Sequence, residues 1–182
     1  MILFGELYFF VCAGLLLIPA LVLGIMEKPI KYYGFFVTIV FILLALWNKP
    51  TEIFYMAGYL IFQFIIITLF LRIRLAKGRT RCWFWTFITL SLAPLVLYKI
   101  AGLFEISILG FMGISYMTFK SLQVIIEIHD GLIKECKPFE FIYFLTFFPA
   151  VLSGPIDRSR RFNEDLALVR PREQYLDLVG AG

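Results

Sequence analysis

Long apolar runs separated by short polar turns dominate the pattern of this chain. The runs predict six helices, at about residues 7–26, 32–47, 53–71, 83–98, 104–129 and 139–152. Several of them approach the roughly 20 residues that an α-helix needs to cross about 30 Å of hydrocarbon. The first two turns are so short that the helices they join should be antiparallel neighbours. The pattern therefore predicts an all-α integral membrane protein, a multi-pass helical bundle in a single domain over residues 1–182.

The first run contains Pro19 and could be mistaken for a signal peptide. Only Glu6 is charged ahead of it, and no basic segment or small-residue cleavage pattern accompanies it, so a membrane helix is the better interpretation. Because proline removes one backbone donor, we expect a kink at Pro19 rather than the end of the helix.

Composition places the chain in the same class. Hydrophobic residues make up 61% of it and charged residues 16%, whereas a soluble domain has about 45–50% apolar and about 25% charged residues. Basic loops of a multi-pass protein explain the net charge of +4, so we expect no nucleic-acid partner. The three cysteines lie far apart without a CxxC pair, which predicts neither a disulfide framework nor a metal site.

The segment from Arg72 to Arg81 holds five cations and no anion. A DNA- or RNA-binding arm would look similar, but this run lies directly between two apolar helices. Its position favours a cytoplasmic loop held against anionic lipid headgroups. Alternation along the chain then puts the N-terminus outside the cell.

The last two apolar runs do not fit simple alternation. Residues 104–129 could form one long helix or two pieces joined at Gly110 and Gly113. Residues 139–152 are few for an upright span, and strict counting would put the arginines that follow them outside the cell, against the positive-inside tendency. A re-entrant or steeply tilted segment would remove the conflict.

Polar residues recur on one side of the fifth predicted helix. Tyr116, Lys120, Gln123, Glu127 and Asp130 follow one another at spacings of four, three, four and three residues. At about 100° per residue they lie within an arc of roughly 80°. Polar side chains at membrane depth usually face a bundle interior or a water-filled cavity. The stripe is therefore either the wall of a substrate path or a buried structural network in which Gln123 links Lys120 to Glu127.

The only histidine, His129, could act as a general base, because its unperturbed pKa lies near neutrality. It lies off the polar stripe at a helix end, however, which favours an interfacial role. No Ser-His-Asp arrangement, phosphate loop or metal cluster can be built from the remaining residues, so we assign no catalytic residue and no metal ligand in this chain.

A Gly-Pro break near the end of the chain is followed by several arginines. Gly154, Pro155 and Asp157 form the break, and Arg158 and Arg161 come after it. Arginine suits phosphate and carboxylate groups, so an anionic substrate or partner could bind here. A solvated turn that faces lipid headgroups is the simpler interpretation.

Four segments carry a resemblance to a known family. They are Gly-Ile-Ser-Tyr-Met-Thr-Phe-Lys at 113–120, Ile-Ile-Glu-Ile-His-Asp-Gly at 125–131, Phe-Phe-Pro at 147–149 and Ser-Gly-Pro-Ile-Asp-Arg-Ser-Arg-Arg-Phe-Asn-Glu-Asp at 153–165. Together they resemble the membrane-bound O-acyltransferase (MBOAT) family. The last segment is most similar to the branch that transfers D-alanine to teichoic acid, whereas residues 1–112 agree only in hydropathy and in their basic loop.

The resemblance implies a ring of transmembrane helices around a thin core crossed by a tunnel. A D-alanyl thioester on the phosphopantetheine arm of a carrier protein would enter from the cytoplasm, and the acyl group would pass to a hydroxyl outside, ultimately on teichoic acid. The implied partners are this carrier protein, other membrane proteins of the same pathway and the lipid bilayer of a Gram-positive plasma membrane. The resemblance implies no cofactor bound to the chain.

The family's catalytic histidine lies in its C-terminal half, beyond the four segments, and His129 does not match it. The resemblance therefore implies that the chain is the N-terminal part of such an enzyme and is inactive by itself. Two alternatives stay open. One is a channel or transporter module with Lys120 and Glu127 on a permeation path, and the other is a truncated remnant without function.

Overall fold

The computed structural model of the chain describes residues 7–47, 49–103, 113–147 and 158–168. All regular structure in these ranges is helical, which confirms the predicted all-α class. The seven helices are α1 Leu7–Ile25, α2 Lys31–Leu46, α3 Pro50–Lys77, α4 Arg81–Leu103, α5 Ile114–His129, α6 Pro138–Thr146 and α7 Ser159–Ala167. By length and composition, α3 and α4 could cross a membrane. The division of the chain into six spans stays a prediction.

Residues 1–45 and 163–182 form one compact unit, and residues 46–162 form another. In the first unit, the hydroxyl of Tyr33 in α2 donates to the carbonyl of Leu16 in α1 at 2.7 Å. Leu16 lies in the turn before Pro19, which is inside α1 and does not end it. A side chain of α2 therefore ties α2 to α1 in the turn before the proline.

The two long helices extend further than the apolar runs predicted. α3 continues through Arg72 and Arg74 to Lys77, because arginine, leucine, alanine and lysine all favour helix. It ends at Gly78, which adopts a left-handed conformation with φ of 74°. The 28 residues of α3 span roughly 42 Å, so both ends reach beyond a hydrocarbon layer of about 30 Å. Only residues 78–80 of the basic run are non-helical.

α5 begins and ends at glycines in left-handed conformations. Gly113, with φ of 88°, precedes Ile114, where the helix starts. Of the two alternatives predicted for 104–129, one long helix or two pieces joined at Gly110 and Gly113, this start favours the second. At the other end, Leu132 N–H donates to Glu127 O at 2.9 Å and Gly131 N–H donates to Ile128 O at 3.0 Å. This pair of bonds is a Schellman motif, which needs the left-handed φ of 79° at Gly131. Residues 104–112 lie outside the described ranges.

Among its described residues, the unit of residues 46–162 buries several polar side chains and exposes many apolar ones. α5 packs against α3, α4 and α6, and it buries Lys120, Ser121 and Glu127 along with its apolar residues. Its outward positions are instead Phe119, 50% exposed, and Ile126, 44% exposed. In water this distribution would be unfavourable, whereas a lipid environment solvates apolar side chains and leaves polar groups to pair within the protein.

Two buried hydrogen-bonded pairs join α3 to its neighbours. Gln63 is fully buried, and its Nε2 donates to Ser91 O of α4 at 2.9 Å while Ser91 Oγ donates to Gln63 Oε1 at 2.8 Å. The hydroxyls of Tyr59 and Thr118 are 2.9 Å apart and join α3 to α5, and Thr118 also donates to Ile114 O at 2.7 Å. Such pairs fix the register of helices whose remaining contacts are apolar.

We expect Gln63→Met to lower the free energy of unfolding in detergent by about 1 kcal/mol, because it leaves the Ser91 hydroxyl and carbonyl without their α3 partner. The matched control is Thr89→Ala, which removes an exposed hydroxyl that bonds only within α4, to Trp85 O. The control should unfold with the wild type. Equal stability of Gln63→Met and wild type would show that this pair does not hold α3 to α4.

Candidate functional site

The buried ammonium of Lys120 is the main polar feature between α5 and α6. Lys120 is only 1% exposed, and its Nζ donates to the carbonyl of Phe144 at 2.6 Å. The same Nζ lies 4.8 Å from the ring centre of Tyr116 and 4.6 Å from that of Phe144. The amine therefore lies between a helix carbonyl and two aromatic rings, which are groups that attract a cation.

The other members of the predicted stripe differ in their surroundings. Glu127 is buried, whereas Gln123 is half-buried and its Oε1 has no hydrogen-bond partner in the described part of the chain. Lys120 reaches across to α6, and the predicted network in which Gln123 links Lys120 to Glu127 stays a prediction. That Tyr116, Lys120, Gln123 and Glu127 line a substrate path stays a prediction.

Sequence reasoning missed the interior pairs on α3 and α4. Tyr59, Gln63 and Ser91 are all buried and all hydrogen-bonded within the unit. One signal was present, because Gln63 is the single amide in the apolar run 53–71. A lone polar residue at membrane depth usually has a partner on another helix.

An apolar cavity of about 320 Å³ opens between α3, α4 and the start of α5. Its lining is almost entirely aromatic and aliphatic, formed by Phe54, Tyr55, Gly58, Tyr59, Phe62, Ala93, Pro94, Leu97 and Ile114. A Cβ added at Gly58 would meet no atom within 4 Å. The cavity suits a hydrocarbon group and carries no arrangement for acid–base chemistry.

The basic segment between α3 and α4 contacts the end of α5. Arg74 Nε donates to the carbonyl of His129 at 3.1 Å, and Arg79 Nε donates to His129 Nε2 at 3.1 Å. Arg79 Nη2 also lies 3.2 Å from Asp130 Oδ1, and the ring of Phe84 stacks 4.2 Å from the imidazole. These contacts join both ends of the α3–α4 connection to the last turn of α5.

This arrangement bears on the predicted role of the basic segment. Arg74 satisfies a terminal carbonyl of α5 and places a cation at the negative end of its dipole. A further cation, Lys77, lies 5.1 Å over the ring of Trp83. Arg74 is turned toward the protein, and the headgroup contact predicted for the segment stays a prediction.

The arrangement also bears on His129. An imidazole nitrogen that accepts from a guanidinium must be unprotonated, so the Arg79 contact selects the neutral ring with its hydrogen on Nδ1. His129 is buried at the helix end and its Nε2 lone pair is used by Arg79. These contacts tie the imidazole to the α3–α4 connection, and the interfacial role expected for His129 stays a prediction.

The arginines after the Gly-Pro break lie at the start of α7. Phe162 packs its ring 5.4 Å from Tyr143, 5.5 Å from Phe144 and 5.0 Å from Phe147. With Phe162 turned inward, Arg158 and Arg161 are exposed. Gly154, Pro155 and Asp157 lie outside the described residues, so the predicted anion-binding turn stays a prediction.

The loop between α5 and α6 holds a shielded thiol. Burial raises the pKa of Cys136 to about 11, and the nearby Glu140 carboxylate acts in the same direction. A thiol with so high a pKa is a poor nucleophile at neutral pH. No group of three histidine, cysteine or acidic side chains is placed to hold a metal ion within the described ranges.

Comparisons with known proteins confirm the resemblance carried by the motifs. No protein-family model matches the chain. It is 34% identical to the teichoic acid D-alanyltransferase of Bacillus subtilis (strain 168) over 188 aligned residues, which cover 98% of this chain and 47% of that protein. It is also 34% identical to the enzyme of that name from Streptococcus thermophilus, covering 97% of this chain and 43% of the relative.

A third relative gives the same description at higher identity. The teichoic acid D-alanyltransferase of Lacticaseibacillus rhamnosus is 40% identical over 126 residues, which cover 67% of this chain and 31% of that protein. The chain thus spans less than half the length of each of these relatives. Identity over nearly the whole chain includes residues 1–112, where the sequence alone showed agreement only in hydropathy.

We expect Arg74→Ala to speed hydrogen exchange in the last turn of α5 roughly tenfold, which corresponds to about 1.4 kcal/mol of lost local stability. The variant removes both the donor to His129 O and the charge at the helix end. Arg72→Ala is the matched control, because Arg72 is an exposed arginine two residues away on the same helix. Similar exchange in the two variants would contradict a capping role for Arg74.

Proposed function

Because the chain is homologous to the teichoic acid D-alanyltransferases over nearly all of its length, we propose that it forms the N-terminal part of a membrane O-acyltransferase. This enzyme moves D-alanine from a carrier-protein thioester toward lipoteichoic acid. The donor is D-alanyl-phosphopantetheine on that carrier protein. The reaction adds an ammonium to an anionic polymer and lowers the negative charge of the cell wall.

The observation that carries the proposal is 34% identity over 98% of the chain. The helices are consistent with a membrane enzyme, because α3 and α4 could cross a membrane and α5 buries several polar side chains. The proposal places the protein in the plasma membrane of a Gram-positive bacterium, with the N-terminus outside and the α3–α4 connection inside. Its partners are the D-alanyl carrier protein, other membrane proteins of the dlt operon and the teichoic acid acceptor.

In this proposal the chain supplies architecture and the rest of the enzyme supplies the reacting groups. Transfer from a thioester to a hydroxyl needs a base that takes the hydroxyl proton and donors for the developing oxyanion. The lone histidine is held against Arg79 at the end of α5 and has no evident approach for an acceptor. We therefore assign no catalytic residue to the described part of the chain.

A channel or transporter is the competing function. A permeation path needs polar groups that can exchange partners with a passing ion. Lys120 instead donates to a backbone carbonyl between two rings, and Gln63 is bound to Ser91 at both ends of its amide. These contacts favour a structural interior over a path.

A chimera tests the proposal. This chain would be joined to the remainder of the Bacillus subtilis relative and expressed in membranes without a native transferase, with carrier protein and activating enzyme supplied. We expect D-alanine to enter lipoteichoic acid with the chimera, and background incorporation with this chain alone or the remainder alone. The carrier protein without its phosphopantetheine arm is the donor control, and it should reduce incorporation to background.

Two results would contradict the proposal. A chimera that accumulates in membranes and binds the carrier protein but transfers nothing would argue against homologous function. Turnover by this chain alone, abolished by His129→Gln, would place the chemistry in this part of the protein.

A further inference from the structure

The carboxyl end of α6 is buried, which is an unusual place for a helix to stop. Its last four residues, 143–146, are all nearly inaccessible, and the chain leaves the helix at Phe147 with φ of −47° and ψ of 105°. The last four carbonyls of any helix lack partners within the helix. In surroundings without water, these groups are costly unless another part of the protein binds them.

Lys120 meets this requirement from the neighbouring helix. Its Nζ is 2.6 Å from the carbonyl of Phe144, which is one of those four terminal carbonyls. The terminus of a helix carries a partial negative charge, and a cation placed there is stabilising within about one turn. The rings of Tyr116 and Phe144 lie close to the ammonium and add electrostatic attraction to their faces.

We propose that Lys120 is a positioning residue that caps the carboxyl end of α6 and fixes the point where the chain leaves that helix. This role is distinct from lining a substrate path, because the ammonium is turned onto the backbone of α6. It does not depend on the proposed acyl transfer.

The consequence reaches beyond α6. Tyr143 and Phe147 flank the exit, and both rings pack on Phe162 at the start of α7. The cap therefore determines where the aromatic cluster forms and where Arg158 and Arg161 are presented.

Thiol labelling at both ends of α6 tests the proposal. In a chain with Cys12→Ser and Cys82→Ser, the substitution Thr146→Cys places a reporter at the buried carboxyl end. The native Cys136, whose raised pKa gives it a slow basal labelling rate, reports any loosening of the amino end as an increase. Labelling rates with a small membrane-permeant maleimide are then compared between the reporter chain that keeps Lys120 and the same chain with Lys120 substituted. Lys99→Met is the matched control, since Lys99 is an exposed lysine whose Nζ lies 5.9 Å over Tyr98.

With Lys120→Met, labelling at position 146 should rise roughly tenfold, the factor expected when a hydrogen bond to a charged group is lost. Labelling of Cys136 should not change. Lys120→Arg should restore the slow rate at 146, because arginine keeps the cation and the donors, and Lys99→Met should have no effect. An unchanged rate at 146, or equal increases at both ends that arginine does not reverse, would overturn the proposal.

A second measurement covers the case in which Lys120→Met fails to accumulate. Nitrogen NMR of the wild-type chain with labelled lysine should show a slowly exchanging ammonium that is absent from Lys120→Arg. Lack of such a signal would overturn the proposal that Lys120 caps α6. Neither measurement involves D-alanine, so a failed cap and a failed D-alanyl chimera are separate results.

Discussion

A polar group in hydrocarbon must find its partner within the protein, and the packing of α3 to α6 follows from this constraint. Three of the helix interfaces contain a side-chain hydrogen bond that water would otherwise provide. Gln63 binds Ser91 between α3 and α4, Tyr59 meets Thr118 between α3 and α5, and Lys120 binds α6. Because apolar contacts with lipid and with another helix are alike in energy, these few bonds decide which faces meet.

The same constraint explains why helix ends need partners. The carboxyl end of α5 is closed by a Schellman motif and by Arg74, and that of α6 by Lys120. In both cases a cation from another helix meets the negative end of a helix dipole. Arg74 and Lys120, for which the sequence suggested contacts with lipid headgroups and with a substrate, thus donate hydrogen bonds to backbone carbonyls at helix ends.

The approximate positions of α3, α4 and α6 could be predicted from the apolar runs, but α3 and α4 extend beyond those runs, and their ends follow local signals that hydropathy does not show. Pro50 and Pro138 lie in the first turn of α3 and α6, where proline is tolerated, and Gly78 and Gly131 end α3 and α5. The bond from Lys120 to Phe144 O could not be predicted. Its acceptor is a backbone carbonyl 24 residues away, and since every residue has such a carbonyl, the sequence does not single this one out. Periodicity placed Lys120 on an inward face, and the network with Gln123 that it also predicted stays a prediction.

The homology indicates the family to which this part of a protein is related, whereas the packing indicates how its helices are held together. The alignment to the D-alanyltransferases covers nearly all of this chain but less than half the length of those relatives. The packing shows an interior whose polar groups bind helices together. Under the proposed function, this part of the enzyme therefore contributes the packing of its helices. The rings of Tyr143 in α6 and of Phe147 directly after it pack against Phe162, which belongs to the motif segment 153–165.

The polar-inside orientation of α5 can be measured directly by spin labels placed one at a time along residues 114–129 in a lipid bilayer. Oxygen, which concentrates in hydrocarbon, should reach labels at Phe119 and Ile126 most readily, because these side chains face outward. Labels at Lys120 and Glu127 should be shielded both from oxygen and from a water-soluble nickel complex. Strong nickel access at Lys120 and Glu127 would show an aqueous path along α5 and contradict the structural interior described above.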